Sequence, residues 1–216
     1  MFSPHNHTSL LLKNDVLHRR RNLLKGLALL LTVGSVSLFA RTGYAASEKH
    51  RILIVYFSHT GNTRAVARQI HSLVGGDLLE LQTTQTYPTK HADTVRQAEQ
   101  ECEDNFRPQL STRFPETMNE YDVIFVGYPV WAYTMPMALY SFFERYTFPG
   151  KTIVPFSTHM GSSLADGPEQ IARLCPQARV LEGIAIRGNR AAESQEAVEH
   201  WLRQLGLADS PRKSEF

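Results

Sequence analysis

The residues best suited to chemistry lie in Ser58-His59-Thr60-Gly61-Asn62-Thr63. Hydroxyls surround a glycine and an asparagine, with no lysine among them, directly after the apolar run Ile52–Phe57 and before a helix-like pattern. A strand that turns through a glycine into a helix leaves backbone N–H groups free at the helix start, and the helix dipole reinforces them. Such a loop holds an anion without a charged side chain. Ser58, Thr60 and Thr63 add hydroxyl donors, Gly61 permits unusual backbone angles, and Asn62 suits a left-handed or capping conformation. The implied chemistry is phosphate binding. The glycine–lysine–serine ending of a nucleoside-triphosphate loop is absent, as are the three spaced glycines of a dinucleotide fingerprint.

Other reactive residues point elsewhere only weakly. Ser58 and His59 are neighbours at a strand's end and should face opposite sides, which argues against a nucleophile–base pair. Cys102 and Cys175 have no metal-ligand spacing and form no Cys-x-x-Cys pair, so no metal site and no thioredoxin-type chemistry is indicated. An oxidising compartment would permit a disulfide between them, and the sequence leaves that pairing open.

The elements that must position the loop alternate along the chain. Ile52–Phe57 reads as a strand buried on both faces. Residues 63–74 carry Val66, Ala67, Ile70 and Val74 at helical spacing, closed by Gly75-Gly76. Further strands are expected over 77–82, 121–128, 152–157 and 178–186, and helices over 135–146, 167–174 and 191–205. This alternation predicts a parallel sheet with helices on both faces. Residues 83–120 interrupt it with a largely polar segment of 38 residues that contains Pro88, Pro108 and Pro115. A helix over 89–103, with Ala92, Val95 and Ala98 as its apolar stripe, followed by an excursion over the ligand edge of the sheet, accounts for this segment.

A chain of 216 residues suits one well-buried domain with additions. Its net charge of +2 is unevenly placed. Residues 1–45 hold six of the 23 basic side chains and, in Asp15, one of the 21 acidic ones, leaving 17 against 20 in the rest. The body is therefore mildly acidic and offers no basic surplus for nucleic acid. The first residues read as an export signal: a positive start, an uncharged apolar run over 27–40 that falls short of the roughly twenty residues of a bilayer span, and a small-residue end at Gly43-Tyr44-Ala45. Arg20-Arg21-Asn22-Leu23-Leu24-Lys25 resembles the twin-arginine consensus, which implies the twin-arginine export machinery as a partner, a periplasmic destination and a cofactor acquired before export. The expected layout is a signal peptide over 1–46, cleaved to leave no stable membrane anchor, a domain over 50–207 and a flexible tail over 208–216.

Val55-Tyr56-Phe57-Ser58-His59-Thr60-Gly61-Asn62-Thr63 resembles the signature of the flavodoxin family, whose loop after the first strand binds the phosphate of FMN. Two further loops resemble that family. Pro129-Val130-Trp131-Ala132-Tyr133, within the longer stretch 127–136, is similar to the loop that packs on the flavin ring in short flavodoxin-like proteins, with Ala132 and Tyr133 where a second tryptophan and a glycine are usual. Thr158-His159-Met160-Gly161-Ser162-Ser163 is similar to the loop at the pyrimidine edge of the flavin, with Met160 and Ser163 in place of glycines. The resemblance implies a flavodoxin-like three-layer α/β sandwich, a five-stranded parallel sheet in the order 2-1-3-4-5, and FMN as cofactor. It implies an oxidoreductase or electron-transfer flavoprotein, with a redox partner protein or a small-molecule electron acceptor. The alternative is a non-catalytic module of the same fold that binds another phosphorylated ligand, and the altered positions Ala132 and Tyr133 are what favour it.

Overall fold

The computed structural model describes residues 50–208, so the expected signal peptide and all but the first residue of the expected tail lie outside the described residues. Apolar β-branched and aromatic residues in Ile52–Phe57 form β1, whose last five residues are all buried. It leads through the hydroxyl-rich loop into α1 (Asn62–Val74) and then β2 (Asp77–Leu81). Next come α2 (His91–Glu103), β3 (Val123–Pro129), α3 (Met137–Phe143), β4 (Thr152–His159) and α4 (Gly167–Leu174). The chain closes with β5 (Arg179–Val180), β6 (Ile184–Arg187), a 3₁₀ turn over Gly188–Glu193 and α5 (Gln195–Gln204).

All strand pairs are parallel, in the order β2-β1-β3-β4-β5, with β6 also beside β4. This is the predicted order 2-1-3-4-5. Alternation along the central strands separates two cores. One face carries Leu53, Val55 and Phe57 with Ile124 and Val126 against Leu139 and Phe142 of α3 and Ile171 of α4. The other carries Ile54, Tyr56 and Phe125 against Val66 and Ile70 of α1 and Val198, Trp201 and Leu202 of α5. Each fully buried side chain of this kind is worth about 1.5–3 kcal/mol over leaving it in water. The result is three layers with the carboxyl ends of β1, β3 and β4 side by side.

Three elements depart from the sequence reading. The strand expected over 178–186 is broken into β5 and β6. The break faces Pro155 of β4, which has no N–H for a ladder, and an ideal Cβ on Gly183 would lie 2.5 Å from the Pro155 carbonyl oxygen. The helix expected over 191–205 begins as a 3₁₀ turn, because Gln69 of α1 captures this stretch. Its Nε2 donates to the Ala191 carbonyl at 2.9 Å, and its Oε1 accepts from the buried Ser194 hydroxyl at 2.8 Å. In α2 the inward stripe is Thr94, Ala98 and Glu101, while Ala92 and Val95 are exposed. Polar residues hold the inner face because each has a partner: the Thr94 hydroxyl donates to the Pro88 carbonyl at 2.7 Å, and Glu101 accepts from Tyr87 and Gln97.

Candidate functional site

The loop from Ser58 to Thr63 has the backbone geometry of an anion cradle. Gly61 adopts φ 93°, a left-handed angle that glycine takes without strain, and its carbonyl accepts the Ala65 N–H at 3.0 Å to begin α1. The Ser58 hydroxyl accepts the Arg64 N–H at 3.2 Å. The N–H groups of Thr60, Gly61, Asn62 and Thr63 meet no acceptor among the described residues. Four neighbouring donors at a helix start are what a phosphate requires. Thr60 is exposed at the mouth of the cradle. Thr63 is buried, and its hydroxyl shares a 2.8 Å hydrogen bond with the hydroxyl of Thr158, tying the loop to β4. Sequence reading passed over Arg64, whose Nε donates to Glu80 at 2.9 Å and whose Nη1 lies 3.7 Å from an ideal Cβ on Gly61, placing an ion pair at the cradle's flank with Nη1 turned toward the loop.

The second loop leaves β3 at Pro129, and the Val130 N–H donates to the Thr158 carbonyl at 2.9 Å, joining it to β4. Trp131 and Thr134 then exchange reciprocal backbone hydrogen bonds of 3.0 and 2.9 Å around Ala132 at φ 47° and Tyr133 at φ 59°. Two positive φ angles define a tight turn of the mirror-image type that favours glycine or asparagine. Holding ordinary side chains there costs on the order of 1–3 kcal/mol each. Tyr133 is 80% exposed. Trp131, by contrast, is walled in. Its indole meets Phe57 at 5.4 Å, His59 at 5.7 Å and Tyr87 at 4.9 Å between ring centres, all edge to face.

Tyr87 comes from the 83–120 excursion, as a site neighbour that sequence reading missed. Its signal was the Tyr87-Pro88 pair, since a residue before proline is held extended. Its hydroxyl donates to Glu101 Oε2 at 2.7 Å, and burial, followed by that carboxylate, pushes its pKa up.

The third loop is built around one imidazole. The Ser163 N–H donates to His159 Nδ1 at 3.1 Å, which leaves the proton of the neutral ring on Nε2. Ser163 reaches this position with φ 55°, and the buried Ser157 hydroxyl fixes its carbonyl at 2.8 Å. Burial, and then Arg187 in register with His159 on β6, push the imidazole pKa down. Met160 and Gly161 are exposed, and Ser162 is half-buried.

The structure thus gathers residues 58–63, 129–133 and 158–162 at the carboxyl ends of β1, β3 and β4, where open parallel sheets bind ligands. Ser58 turns its hydroxyl to the start of α1 while His59 packs its ring on Tyr87 and Trp131, so the two do not form a nucleophile–base pair. Cys102 is exposed and Cys175 buried, and both are free thiols. Among the described residues no group of three or more His, Cys, Asp or Glu side chains is placed to hold a metal. A cradle for one phosphate beside a flat aromatic wall and a fixed imidazole donor fits a planar ring carrying a phosphate tail. FMN has that shape.

Comparison with known proteins agrees. The flavodoxin family profile matches residues 51–205. Among curated proteins none matches the chain. A solved structure of a candidate flavoprotein from Bacteroides eggerthii DSM 20697 is similar at 30% identity and TM-score 0.64, covering 73% of this chain and 98% of that one. A counterpart from Bacteroides uniformis ATCC 8492 is similar at 29% identity and TM-score 0.64, covering 71% and 98%. A flavoprotein solved in complex with FMN, from Lactobacillus acidophilus NCFM, shares the fold at 20% identity and TM-score 0.54, covering 67% and 97%. With the family match over most of its length and the cradle at the expected strand end, this chain belongs to the flavodoxin family.

Proposed function

We propose that this chain is an exported FMN flavoprotein that works as an oxidoreductase, passing electrons to a redox partner protein or to a small-molecule acceptor. The observation that carries the reading is the set of four acceptor-free N–H groups from Thr60 to Thr63 at the start of α1, beside the indole of Trp131. When bound, FMN supplies one- and two-electron chemistry that side chains lack. The residues supply the rest. The cradle binds the phosphate through backbone donors, and Arg64, its charge balanced by Glu80, leaves Nη1 as a side-chain donor at the flank. Trp131 offers an apolar wall for the ring. His159 presents a proton on Nε2, fixed by Ser163, and so acts as a neutral hydrogen-bond donor at the site's edge.

The mass and visible spectrum of the small molecule carried by protein purified from its host test the reading. A yellow protein releasing FMN is expected, and a colourless protein releasing another phosphorylated compound would replace the reading with a non-catalytic binding module. The turn at Ala132 and Tyr133, strained and with Tyr133 in solvent, is the observation that favours that alternative.

Export through the twin-arginine route to a periplasm rests on Arg20 and Arg21 and on the short apolar run that follows them. Exchanging both arginines for lysine keeps the charge and should stop mature protein from leaving the cytoplasm. Normal export of the lysine variant would leave a general export signal in its place.

A further inference from the structure

Residues 83–120 are much longer than the connection between β2 and β3 needs to be, and they place one side chain against the candidate site. Tyr87 is buried, with its ring between those of Phe57, His59 and Trp131. Three separate restraints act on it. Pro88 limits its backbone to extended angles. The three rings meet it edge to face at centre distances of 5.5, 6.3 and 4.9 Å. Its hydroxyl donates to Glu101, whose other carboxylate oxygen accepts from Gln97 Nε2 at 2.8 Å.

Glu101 is the unusual partner. It is only 7% exposed, and among the described residues no cation pairs with it. Burying a carboxylate with hydrogen bonds alone is costly, and an apolar residue would serve if α2 needed only to cover the sheet. The bond to Tyr87 is what distinguishes Glu101 from such a residue. Glu101 also lines, with Ala98, Cys102 and Trp131, a tight crevice too small for a water molecule, so it borders the same indole that Tyr87 touches.

We propose that Tyr87 and Glu101 form a strut that sets the plane of the Trp131 indole, making both of them positioning residues for the ring half of the cofactor site. The inference rests on the FMN reading given above. In this arrangement α2 and the excursion act as a buttress. The helix anchors Glu101, Glu101 fixes the Tyr87 hydroxyl, and the Tyr87 ring stops the indole from turning about its side-chain bonds. The strut acts on the flavin ring and not on the phosphate, so its loss must weaken FMN and riboflavin by the same factor.

The test compares Tyr87→Phe, Glu101→Leu and Glu101→Gln with the unaltered protein. Each is titrated with FMN and with riboflavin, while flavin fluorescence and the two-electron reduction potential are followed. Tyr87→Phe and Glu101→Leu should weaken both flavins equally, by roughly three- to tenfold for one misplaced aromatic contact. Flavin fluorescence should be less quenched and the potential shifted. Glu101→Gln keeps an oxygen able to accept from the Tyr87 hydroxyl and should behave like the unaltered protein. Acrylamide quenching of tryptophan fluorescence, measured without flavin, reads the indole directly, because Trp201 is buried in the other core layer and shielded. Tyr87→Phe should make Trp131 more accessible.

A lowered melting temperature with unchanged affinity, quenching, potential and indole accessibility would overturn the strut, leaving Tyr87 as a packing residue only. Weakened FMN with unchanged riboflavin would overturn it too, because the effect would then run through the phosphate. If the unaltered protein binds neither flavin while Tyr87→Phe still frees the indole, the cofactor reading fails and the strut stands.

Discussion

The cradle at Ser58–Thr63 and the turn at Trp131–Thr134 lie at the ends of neighbouring strands, and they are held by opposite means. The cradle is local. One glycine in a left-handed conformation and the start of one helix turn four N–H groups outward, and the relevant donors all lie within six residues. The turn is locally unfavourable. Ala132 and Tyr133 sit at positive φ without being glycine, and the indole beside them is oriented by Phe57, His59 and Tyr87, from segments distant in sequence. Binding a phosphate through backbone donors needs little more than correct local geometry. Holding an aromatic plane needs walls on several sides, and these come only from the folded chain.

This contrast is open to direct attack. The largest effect should come from Gly61→Val, which forces a β-branched residue into φ 93° and disorganises the donors. With two hydrogen bonds to a charged group lost, each about 1.5–3 kcal/mol, FMN should bind roughly a hundredfold more weakly or worse. Riboflavin should be unaffected. Calorimetric titration with both flavins checks this, and equal losses would show that the cradle does not hold the phosphate.

Next in size, Trp131→Ala should cost about 1–3 kcal/mol of affinity, the range for stacking a planar ring on an aromatic side chain, and should do so for FMN and riboflavin alike. Fluorescence of the bound flavin should rise. If Tyr133→Ala produces these effects and Trp131→Ala does not, the platform is Tyr133.

Smaller, and of opposite sign, is Tyr133→Gly. Relieving one left-handed side chain should stabilise the fold by about 1 kcal/mol or more, read as a higher denaturation midpoint. A loss of stability would mean that the exposed ring makes contacts that outweigh the strain.

The least effect should come from pH at His159. Its pKa is depressed in the folded state, so between that lowered value and the ordinary 6.5 the unfolded chain binds the extra proton. Stability should therefore decline as pH falls below about 6.5 and level off under the folded pKa. In His159→Asn the decline should be shallower, and an identical acid limb in both proteins would show that His159 contributes nothing to it.

Much of this was legible in the sequence because the features that carried it are local and periodic. The apolar run Ile52–Phe57, the glycine and hydroxyls that follow it, and the spacing of Val66, Ala67 and Ile70 each report the backbone a few residues around them. The order of the sheet was legible through the family resemblance of the loop after the first strand, which selects among the few parallel topologies that strand–helix alternation leaves open. The same local logic failed where a distant partner intervened. Ala92 and Val95 looked like the inner face of α2, yet Thr94 and Glu101 are buried because the extended Tyr87-Pro88 pair offers them hydrogen bonds. The last strand looked continuous until Pro155, from another strand, met it at Gly183.

The sequence by itself determined the class of fold and the place of the hydroxyl-rich loop at a helix start, because these depend on propensity, periodicity and one glycine, while the strand order came with the family resemblance of that loop. Tertiary structure alone decided that Thr63 faces Thr158, that Ser163 keeps the Nδ1 of His159 as an acceptor, and that Tyr87 and Glu101 reach the indole of Trp131. Those contacts join residues up to 95 positions apart. No local pattern encodes such pairings. They exist only once the buried faces of the sheet have brought the loops to a common edge.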